Sequence, residues 1–335
     1  MVRKLLSKAR VPLQIAFLLL LAAFVARSVY LRWDELRAFQ VALHPAWAIA
    51  GTVFTVVFTF VLSLNWQWLV RRLSPAASQL PALGLHRAFL TSFLTRYLPA
   101  GALVNIGGKV ELLKRQGPSR SVGLESVLYE IVFLMGGGLF LAWVAFLVEP
   151  APWLLGDWQP VYPVLMVIVA AGCILCFSVP DRLLLWGRSL IRREMPEISS
   201  ARLTWGDRAA AFVLYTVANL LQGIAVLCLL YAVYPAMVPD PGVMLHVIAA
   251  YPIGRLVGQA TPFAPGGIGV REAAFTFLVM PWLPVEPVVI SATLMRLVSV
   301  LVEIAAALLV TGLDRRAAQR LPVREHLQSG GDRPG

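Results

Sequence analysis

Residues 121–148 read SVGLESVLYEIVFLMGGGLFLAWVAFLV, a stretch of 28 residues with two charged side chains. About 20 helical residues cross the ~30 Å hydrocarbon core of a bilayer, so this stretch is long enough to span a membrane. The composition agrees, because 59% of the 335 residues are hydrophobic and 14% are charged, whereas soluble domains are about 25% charged. The apolar residues form long runs and not short alternating segments, which excludes a membrane β-barrel. We therefore expect an all-α, polytopic helical membrane protein.

Five further stretches belong to the same class. The six predicted spans are 12–31, 46–70, 121–148, 161–179, 209–234 and 288–312. Because Lys and Arg collect in cytoplasmic loops, their distribution indicates the orientation of the chain. They are frequent in the tail 1–11, in the connections 71–72, 109–120 and 180–208, and in the tail 313–335; the connections 149–160, 235–243 and 281–287 contain none.

This charge distribution predicts a bacterial-type inner-membrane protein with both termini in the cytoplasm. Residues 1–11 would form a basic cytoplasmic tail, and residues 313–335, which are short and polar, a disordered one. The first outer loop is an exception, because it contains Arg32 and Arg37 beside Asp34 and Glu35. Basic loops of this kind report orientation and give no indication of nucleic-acid binding.

Two apolar segments, 86–113 and 243–280, are interrupted at their centres by Pro and Gly. Only about twelve apolar residues precede Pro99, which is short for a crossing. Basic residues flank this segment on both sides, so it is predicted to enter from the cytoplasm and return as a re-entrant helical hairpin. The second segment is flanked by connections without Lys or Arg and is predicted to enter from outside. A full span over 242–261 is the alternative.

The pattern of span, span, hairpin and span occurs twice. Three crossings is an odd number, so the second copy starts on the opposite face from the first. Residues 12–148 and 161–312 are therefore predicted to be inverted-topology repeats, an arrangement typical of transporters. Glu130 lies 31 residues after Pro99, and Arg296 lies 31 residues after Pro265.

Charged side chains at bilayer depth are costly and are usually functional or paired. For Glu130 and Arg296 we consider two roles: a structural ion pair that joins the two halves, or a direct role in gating or coupling of transport. For Glu125 and Glu303, solvation near an interface or a pairing that holds helices together is the preferred interpretation. Arg96 lies beside the tip of the first hairpin, and Arg255 lies within the second.

The tip of the second hairpin reads TPFAPGGIGVRE, residues 261–272. Its glycines allow backbone N–H groups to converge at the start of a short helix, a geometry that binds phosphate oxygens. Arginines beside it would add bidentate contacts to the same phosphate, and close helix packing through glycine is the alternative. The predicted substrate-binding residues are Arg96, Arg255, Gly266, Gly267, Gly269, Arg271 and Glu272.

Several classes of protein are disfavoured. Cys173, Cys176 and Cys228 all lie inside apolar runs, so no disulfide is expected. The four histidines have no metal-ligand spacing, and the chain has no nucleotide-type phosphate loop. No Ser or Cys nucleophile stands near a His. We therefore expect neither an enzyme with catalytic residues nor a metal or other cofactor.

The segment FAPGGIGVREAAF resembles the Pro-Gly-Gly-x-Gly-x-x-Glu signature of the lysylphosphatidylglycerol synthase transmembrane domain family, also called the flippase-like domain family. RYLPAG, residues 96–101, is similar to the family's Arg-x-Leu-Pro-Gly element, although Ala100 separates its Pro and Gly. A Glu in the next helix, Glu130, and the late Arg296 extend the resemblance to roughly residues 12–312. The resemblance implies lipid translocation without lipid aminoacylation. Other stand-alone members are associated with polyprenyl-phosphate sugars, glycolipids or hopanoids.

The leading hypothesis is a flippase-like transporter of a lipid with a phosphate-bearing head group, of phospholipid, aminoacyl-phospholipid or polyprenyl-phosphate type. The expected partners are that anionic lipid and the bilayer. The alternative is an accessory subunit that does not transport but presents a lipid intermediate to a partner such as a glycosyltransferase or other membrane enzyme. A third reading, an intramembrane enzyme with Glu272 or Glu130 as general base, lacks a paired nucleophile.

Overall fold

The computed structural model describes residues 43–97, 101–150, 156, 159–178, 203–235, 237, 240–260, 267 and 269–320. Within these residues the chain forms nine α-helices and no strand, which confirms the all-α prediction for the described part. The helices are α1 (Pro45–Leu73), α2 (Ala82–Leu94), α3 (Gly101–Lys114), α4 (Arg120–Val148), α5 (Tyr162–Ser178), α6 (Trp205–Val233), α7 (Pro241–Ala260), α8 (Val270–Val279) and α9 (Val285–Arg320). The predicted span 12–31 lies outside the described residues.

Five of these helices, α1, α4, α5, α6 and α9, are long and apolar enough to cross a membrane, with mean hydropathy between 2.0 and 2.5 over their most apolar stretch. They coincide with five of the six predicted spans. Two of the candidate spans differ in extent from their helices: Gln159–Ser178 contains α5 and the turn before it, and Val285–Asp314 lies within α9. Because α9 continues to Arg320, residues 313–320 of the tail predicted to be disordered are helical. The helical membrane-spanning architecture therefore follows from the length of the apolar runs.

The helix ends are fixed by local sequence. Pro45 opens α1 at a position where its missing N–H costs nothing. Thr204 caps α6 by accepting a hydrogen bond from the Asp207 backbone N–H at 3.1 Å, and the Asp207 carboxylate accepts one from the Thr204 backbone N–H at 3.1 Å. Reciprocal bonds of this kind satisfy donors that a helix end leaves open.

The distribution of polarity is the reverse of that in a soluble protein. Large aliphatic side chains are exposed on the outer surface, as at Ile168, Leu301 and Leu308. Polar side chains such as Asn219 and Gln222 are instead buried between helices. An apolar exterior, with the polar side chains kept inside among the apolar core, is what a protein solvated by lipid requires.

Two pairs of helices differ from the five long ones. The first helix pair, α2 and α3, and the second helix pair, α7 and α8, each consist of two arms that pack against one another. Three of the four arms have 13, 14 and 10 residues, too short to cross the bilayer. The fourth, α7, has 20 residues and carries Pro252 within it. Both pairs coincide with the segments 86–113 and 243–280.

The long helices and the helix pairs pack in a reciprocal pattern. α4 packs on the second helix pair through α7, and α9 packs on the first helix pair through α2. In each half the second arm of the pair also contacts the next long helix, α3 with α4 and α8 with α9. α1 and α6, which precede the two pairs, pack along one another. Among the eight helices other than α5, exchange of α1–α4 with α6–α9 therefore reproduces the same set of helix contacts.

Glycine allows the close approach of α4 and α6. A Cβ atom built on Gly137 would lie 2.9 Å from the Cα of Thr216 on α6. A similar approach joins α6 and α7, where a Cβ on Gly223 would lie 2.2 Å from the carbonyl oxygen of Ile248. Small residues at such crossings let backbones approach and gain dispersion contacts.

The Gly137→Ala variant is expected to be less stable, because the added methyl group forces α4 and α6 apart. Overpacking of this kind costs about 1–3 kcal/mol, and the melting temperature of the purified protein in detergent should fall by several degrees. The matched control is Gly172→Ala on α5, where the new Cβ would lie 3.7 Å from a Leu139 methyl group, an ordinary contact. Equal melting temperatures of the two variants would contradict this account of the helix crossing.

Candidate functional site

The second helix pair holds two buried arginines, Arg255 on α7 and Arg271 on α8, each 3% exposed. The Arg255 guanidinium donates a hydrogen bond to the Asn219 side-chain oxygen at 2.5 Å. The Arg271 guanidinium donates one to the Tyr251 hydroxyl at 2.6 Å. Both acceptors are uncharged, and the Nε atoms of both arginines have no hydrogen-bond partner among the described residues. Two cations are thus held between helices by neutral groups.

Glycines place Arg271 at this site. Gly267 has a φ of +69°, and a Cβ on it would lie 2.8 Å from the backbone of Gly258 on α7. Gly269, with a φ of +82°, precedes α8, and its backbone N–H donates to the Glu272 carboxylate at 2.8 Å. Both φ values lie in the left-handed region that favours glycine. The segment can therefore turn tightly against α7 and begin α8 with Arg271 directed inward.

The first helix pair contributes a third arginine. Arg96, in the 3-10 turn after α2, forms an ion pair with Glu303 of α9. Its guanidinium also donates to the Tyr97 hydroxyl at 2.9 Å, and that hydroxyl donates to Glu303 at 2.9 Å. The Glu303 side chain is 3% exposed. The pairing expected for Glu303 is confirmed, and it fastens the first helix pair to α9.

An ion pair with Arg296 was one of the two roles considered for Glu130, and the structure instead pairs Glu130 with a lysine. Lys109 of α3 donates to both carboxylate oxygens of Glu130, at 2.7 and 2.6 Å. The reason is that α3 packs directly on α4, so the cation nearest to Glu130 comes from the adjoining helix pair. Lys109 also lies 4.1 Å from the centre of the Phe89 ring, a cation–π contact. Since Lys109 is 2% exposed, its assignment to a cytoplasmic loop is wrong.

Arg296 lies instead at the meeting point of the two helix pairs. Its guanidinium carbon is 5.0 Å from the centre of the Tyr97 ring, and that of Arg96 is also 5.0 Å from the same ring. Arg296 interacts electrostatically with Arg271 and Glu272 on one side and with Arg96 on the other. Arg255 likewise interacts with Arg271, Arg96 and Glu130. The ionisable groups of both pairs therefore act on one another.

We call this set the buried charge cluster. Its members, drawn from both helix pairs and from α4 and α9, are Arg96, Lys109, Glu130, Arg255, Arg271, Glu272, Arg296 and Glu303. Within the described part of the chain the cluster contains five cations and three carboxylates, an excess of two positive charges. Unpaired charges in a low-dielectric interior are unfavourable. The cluster is therefore suited to bind an anion.

Most of the predicted site residues meet in this cluster. The structure brings together Arg96, Arg255, Arg271, Glu272, Glu130 and Arg296, with Gly267 and Gly269 at the start of α8, whereas Gly266 lies outside the described residues. Lys109, Asn219 and Tyr251 were not predicted as site residues from the sequence. A cation with apolar residues three and four positions away, as Lys109 has in Ile106 and Leu113, is the one signal that could have identified a buried lysine. Asn219 and Tyr251 carry no such signal.

The residues that the structure describes form neither a metal site nor a disulfide. No three His, Cys, Asp or Glu side chains are grouped there to hold a metal ion. Cys173, Cys176 and Cys228 are free thiols. The expectation that no Ser or Cys stands near a His is wrong, because the Ser63 hydroxyl lies 2.8 Å from Nδ1 of His86.

A bundle of membrane-spanning helices around a buried, cationic polar site defines the class of the protein as an integral membrane protein with an intramembrane ionic site. Residues 11–307 match the profile of the family described as lysylphosphatidylglycerol synthase TM region. The match covers most of the chain, and the protein belongs to this family, which suggests a flippase-like role in a membrane. No curated protein and no solved structure matches the chain significantly.

The Lys109→Met variant is expected to be strongly destabilised, because it leaves the Glu130 carboxylate buried without a cation. Breaking one side of a buried pair costs about 3–5 kcal/mol. The double variant Lys109→Met/Glu130→Leu should recover most of the loss, since it removes both charges. Thermal unfolding of the three proteins in detergent measures both effects.

The control for this series is Arg115→Met, which breaks the exposed pair of Arg115 with Glu111, 3.6 Å apart. Exposed pairs contribute little, so the melting temperature of this variant should remain that of the wild type. A Lys109→Met protein as stable as Arg115→Met would contradict the assignment of a buried structural ion pair.

Proposed function

We propose that the protein is a flippase-like transporter that moves a lipid with a phosphate-bearing head group across a bacterial-type inner membrane, without catalysing a reaction. The single observation that carries the proposal is the excess of two positive charges in the buried charge cluster. A site of this kind inside a lipid-solvated bundle needs an anion. The anion most available to it is the phosphate of a lipid.

Arg255 and Arg271 are the groups that would take the head group. Arginine binds phosphate oxygens with two parallel hydrogen bonds, and such charge-assisted bonds are about twice as strong as neutral ones. Their present acceptors, Asn219 and Tyr251, are neutral. A hydrogen bond from either arginine to a phosphate oxygen would therefore be stronger than the present one. The acyl or prenyl chains of the lipid would remain outside the bundle, in the bilayer.

Transport also requires access to the site from both faces. We propose that the two helix pairs are re-entrant hairpins that enter from opposite faces, and that the two halves of the chain are inverted repeats. The reciprocal packing of α4 with the second pair and of α9 with the first supports this proposal. So does the fact that the two helix pairs bring cations to one cluster from different parts of the sequence.

The ion pairs would serve as the gate. Arg255 and Arg271 are each 3% exposed, so a head group reaches them only after a helix pair moves. The Arg96–Glu303 pair links the first helix pair to α9 and closes the cytoplasmic approach in this proposal. The gating role predicted for Glu130 is shared with Lys109, whose helix must move together with α4. Arg296 interacts with charged groups of both helix pairs, so its electrostatic environment would change when either pair moves.

Arg271→Gln should reduce translocation of a labelled phosphate lipid in proteoliposomes by at least about tenfold, because one charge-assisted contact is worth roughly 1.5–3 kcal/mol. The matched control is Lys114→Gln, which removes an exposed cation from the first helix pair. Its rate should equal that of the wild type. Wild-type rates in a stably folded Arg271→Gln protein would contradict the assignment of Arg271 to the head group.

The opposed orientation of the helix pairs predicts the labelling of single cysteines. In a protein that lacks the three native cysteines, Ser78→Cys, just before the first pair, should react with a membrane-impermeant reagent only from the cytoplasm. Glu286→Cys, just after the second pair, should react only from outside, and both side chains are exposed. Both should react from either face once the membrane is permeabilised.

Labelling of both positions from one face would overturn the inverted arrangement. The protein would then have an anion site without two-sided access, as expected of an accessory subunit that presents a lipid to a membrane enzyme.

A further inference from the structure

We infer that the head group bound by the buried charge cluster carries two negative charges, as in a lipid phosphomonoester or diphosphate, and not the single charge of a phosphodiester. The inference rests on the proposed function and narrows its substrate class. It depends on how the charges of the cluster are distributed, and not on the second hairpin tip, whose residues 261–266 lie outside the described part of the chain.

Two of the five cations are neutralised by direct ion pairs with buried carboxylates: Lys109 is bound by Glu130 and Arg96 by Glu303. The third carboxylate, Glu272, is the one acidic side chain among the described groups that act on Arg296, so we assign it to that cation. These three carboxylates are the acidic groups of the cluster, so none is left for the remaining two cations.

Those two cations are Arg255 and Arg271. Their hydrogen-bond acceptors are an amide and a phenol, which supply no negative charge. The two guanidinium groups also repel each other, because they lie on helices that pack together: a Cβ on Gly258 of α7 would lie 3.0 Å from the Cβ of Arg271 on α8. Repulsion between two buried cations is large in a medium of low dielectric constant. The site therefore has a positive charge of two, concentrated on neighbouring helices, α7 and α8.

A monoanion leaves one of these charges without compensation. A phosphodiester carries a single negative charge and has two unesterified oxygens. A phosphomonoester carries about 1.5 to 2 negative charges at pH 7 and has three strong acceptor oxygens. Only the second class can neutralise both arginines in one binding event.

The hydrogen-bond donors lead to the same class. The Nε atoms of Arg255 and Arg271 are buried without a partner among the described residues, although each residue is only 3% exposed. A buried donor without an acceptor is unfavourable, and more so when it is charged. These two Nε–H groups are available to phosphate oxygens, and a phosphomonoester offers more acceptor positions than a phosphodiester. Three oxygens on one phosphorus, or the larger set on a diphosphate, can meet both.

The test compares three lipids with identical acyl chains: phosphatidic acid, a phosphomonoester; phosphatidylglycerol, a phosphodiester with one charge; and phosphatidylcholine, with no net charge. The full-length protein is reconstituted in nanodiscs, and bound lipid is quantified by native mass spectrometry in pairwise competition. Wild-type protein should prefer phosphatidic acid over phosphatidylglycerol by about tenfold or more, since tenfold corresponds to about 1.4 kcal/mol. Phosphatidylcholine should bind more weakly than either.

Variants then test whether the preference depends on the two uncompensated positive charges of Arg255 and Arg271. Arg255→Gln removes one of the two uncompensated charges and should reduce the preference for the monoester to about threefold or less. Lys114→Gln removes an exposed charge and should leave the preference unchanged. Glycerol 3-phosphate, which has the same phosphate but no acyl chains, should not compete at equal concentration. Competition as effective as that of phosphatidic acid would overturn the inference of a lipid ligand, in favour of a soluble phosphate.

The outcomes separate this inference from the proposed function. Equal binding of phosphatidic acid and phosphatidylglycerol, with both lipids translocated, would overturn the dianionic head group and leave transport standing. Preferential binding of phosphatidic acid without translocation of any lipid would support the head-group class and contradict transport. An unchanged preference in stably folded Arg255→Gln would also overturn the inference.

Discussion

The structure is governed by the cost of positive charge in a lipid-solvated interior. Burying an ion without compensation costs several kcal/mol even after the protein relaxes, yet this bundle buries more cations than carboxylates at its centre. Lys109 and Arg96 meet carboxylates within the chain, whereas Arg255 and Arg271 meet only neutral acceptors. An incomplete balance of this kind is unfavourable for a purely structural core. It is well suited to a site that binds and releases an anion.

The helix pairs explain how four of the five cations of the cluster reach this depth. A residue in the middle of a long membrane-spanning helix competes with the apolar run that makes the helix a span. The short arms α2, α3 and α8 avoid this conflict, because they are supported by the long helices around them. Gly267 and Gly269 adopt left-handed backbone conformations at the start of α8, and Arg271 follows directly. The glycines that interrupt the second helix pair, and so keep it from crossing the membrane as one helix, thus also place the Arg271 cation inside the bundle.

Much of the architecture could be predicted from the sequence, because membrane spans depend on a local property, the length of an apolar run. The runs 46–70 and 209–234 correspond to α1 and α6 within a few residues. Arg255 and Arg271 were also identified, since a charged residue within an apolar segment is conspicuous. The pairing of charges could not be predicted. The pairing depends on which helices are in contact. Because α3 packs on α4, Glu130 forms its ion pair with Lys109 and not with Arg296.

Neutral partners were the least predictable part of the site. Asn219 and Tyr251 lie in predominantly apolar helices, and only their placement beside guanidinium groups gives them a role. They hold the arginines without cancelling their charge, which keeps the cluster cationic when no ligand is bound. An aspartate at position 219 would form a closed ion pair with Arg255, and the positive charge of the site would fall by one.

The central claim is that the uncompensated charge of Arg255 and Arg271 holds a phosphate-bearing lipid. Native mass spectrometry of the purified protein, and of an Arg255→Gln/Arg271→Gln variant with matched thermal stability, tests it most directly. The account predicts one tightly retained phosphorus-containing lipid on the wild-type protein and none on the variant. The same lipid retained equally by both proteins would contradict it.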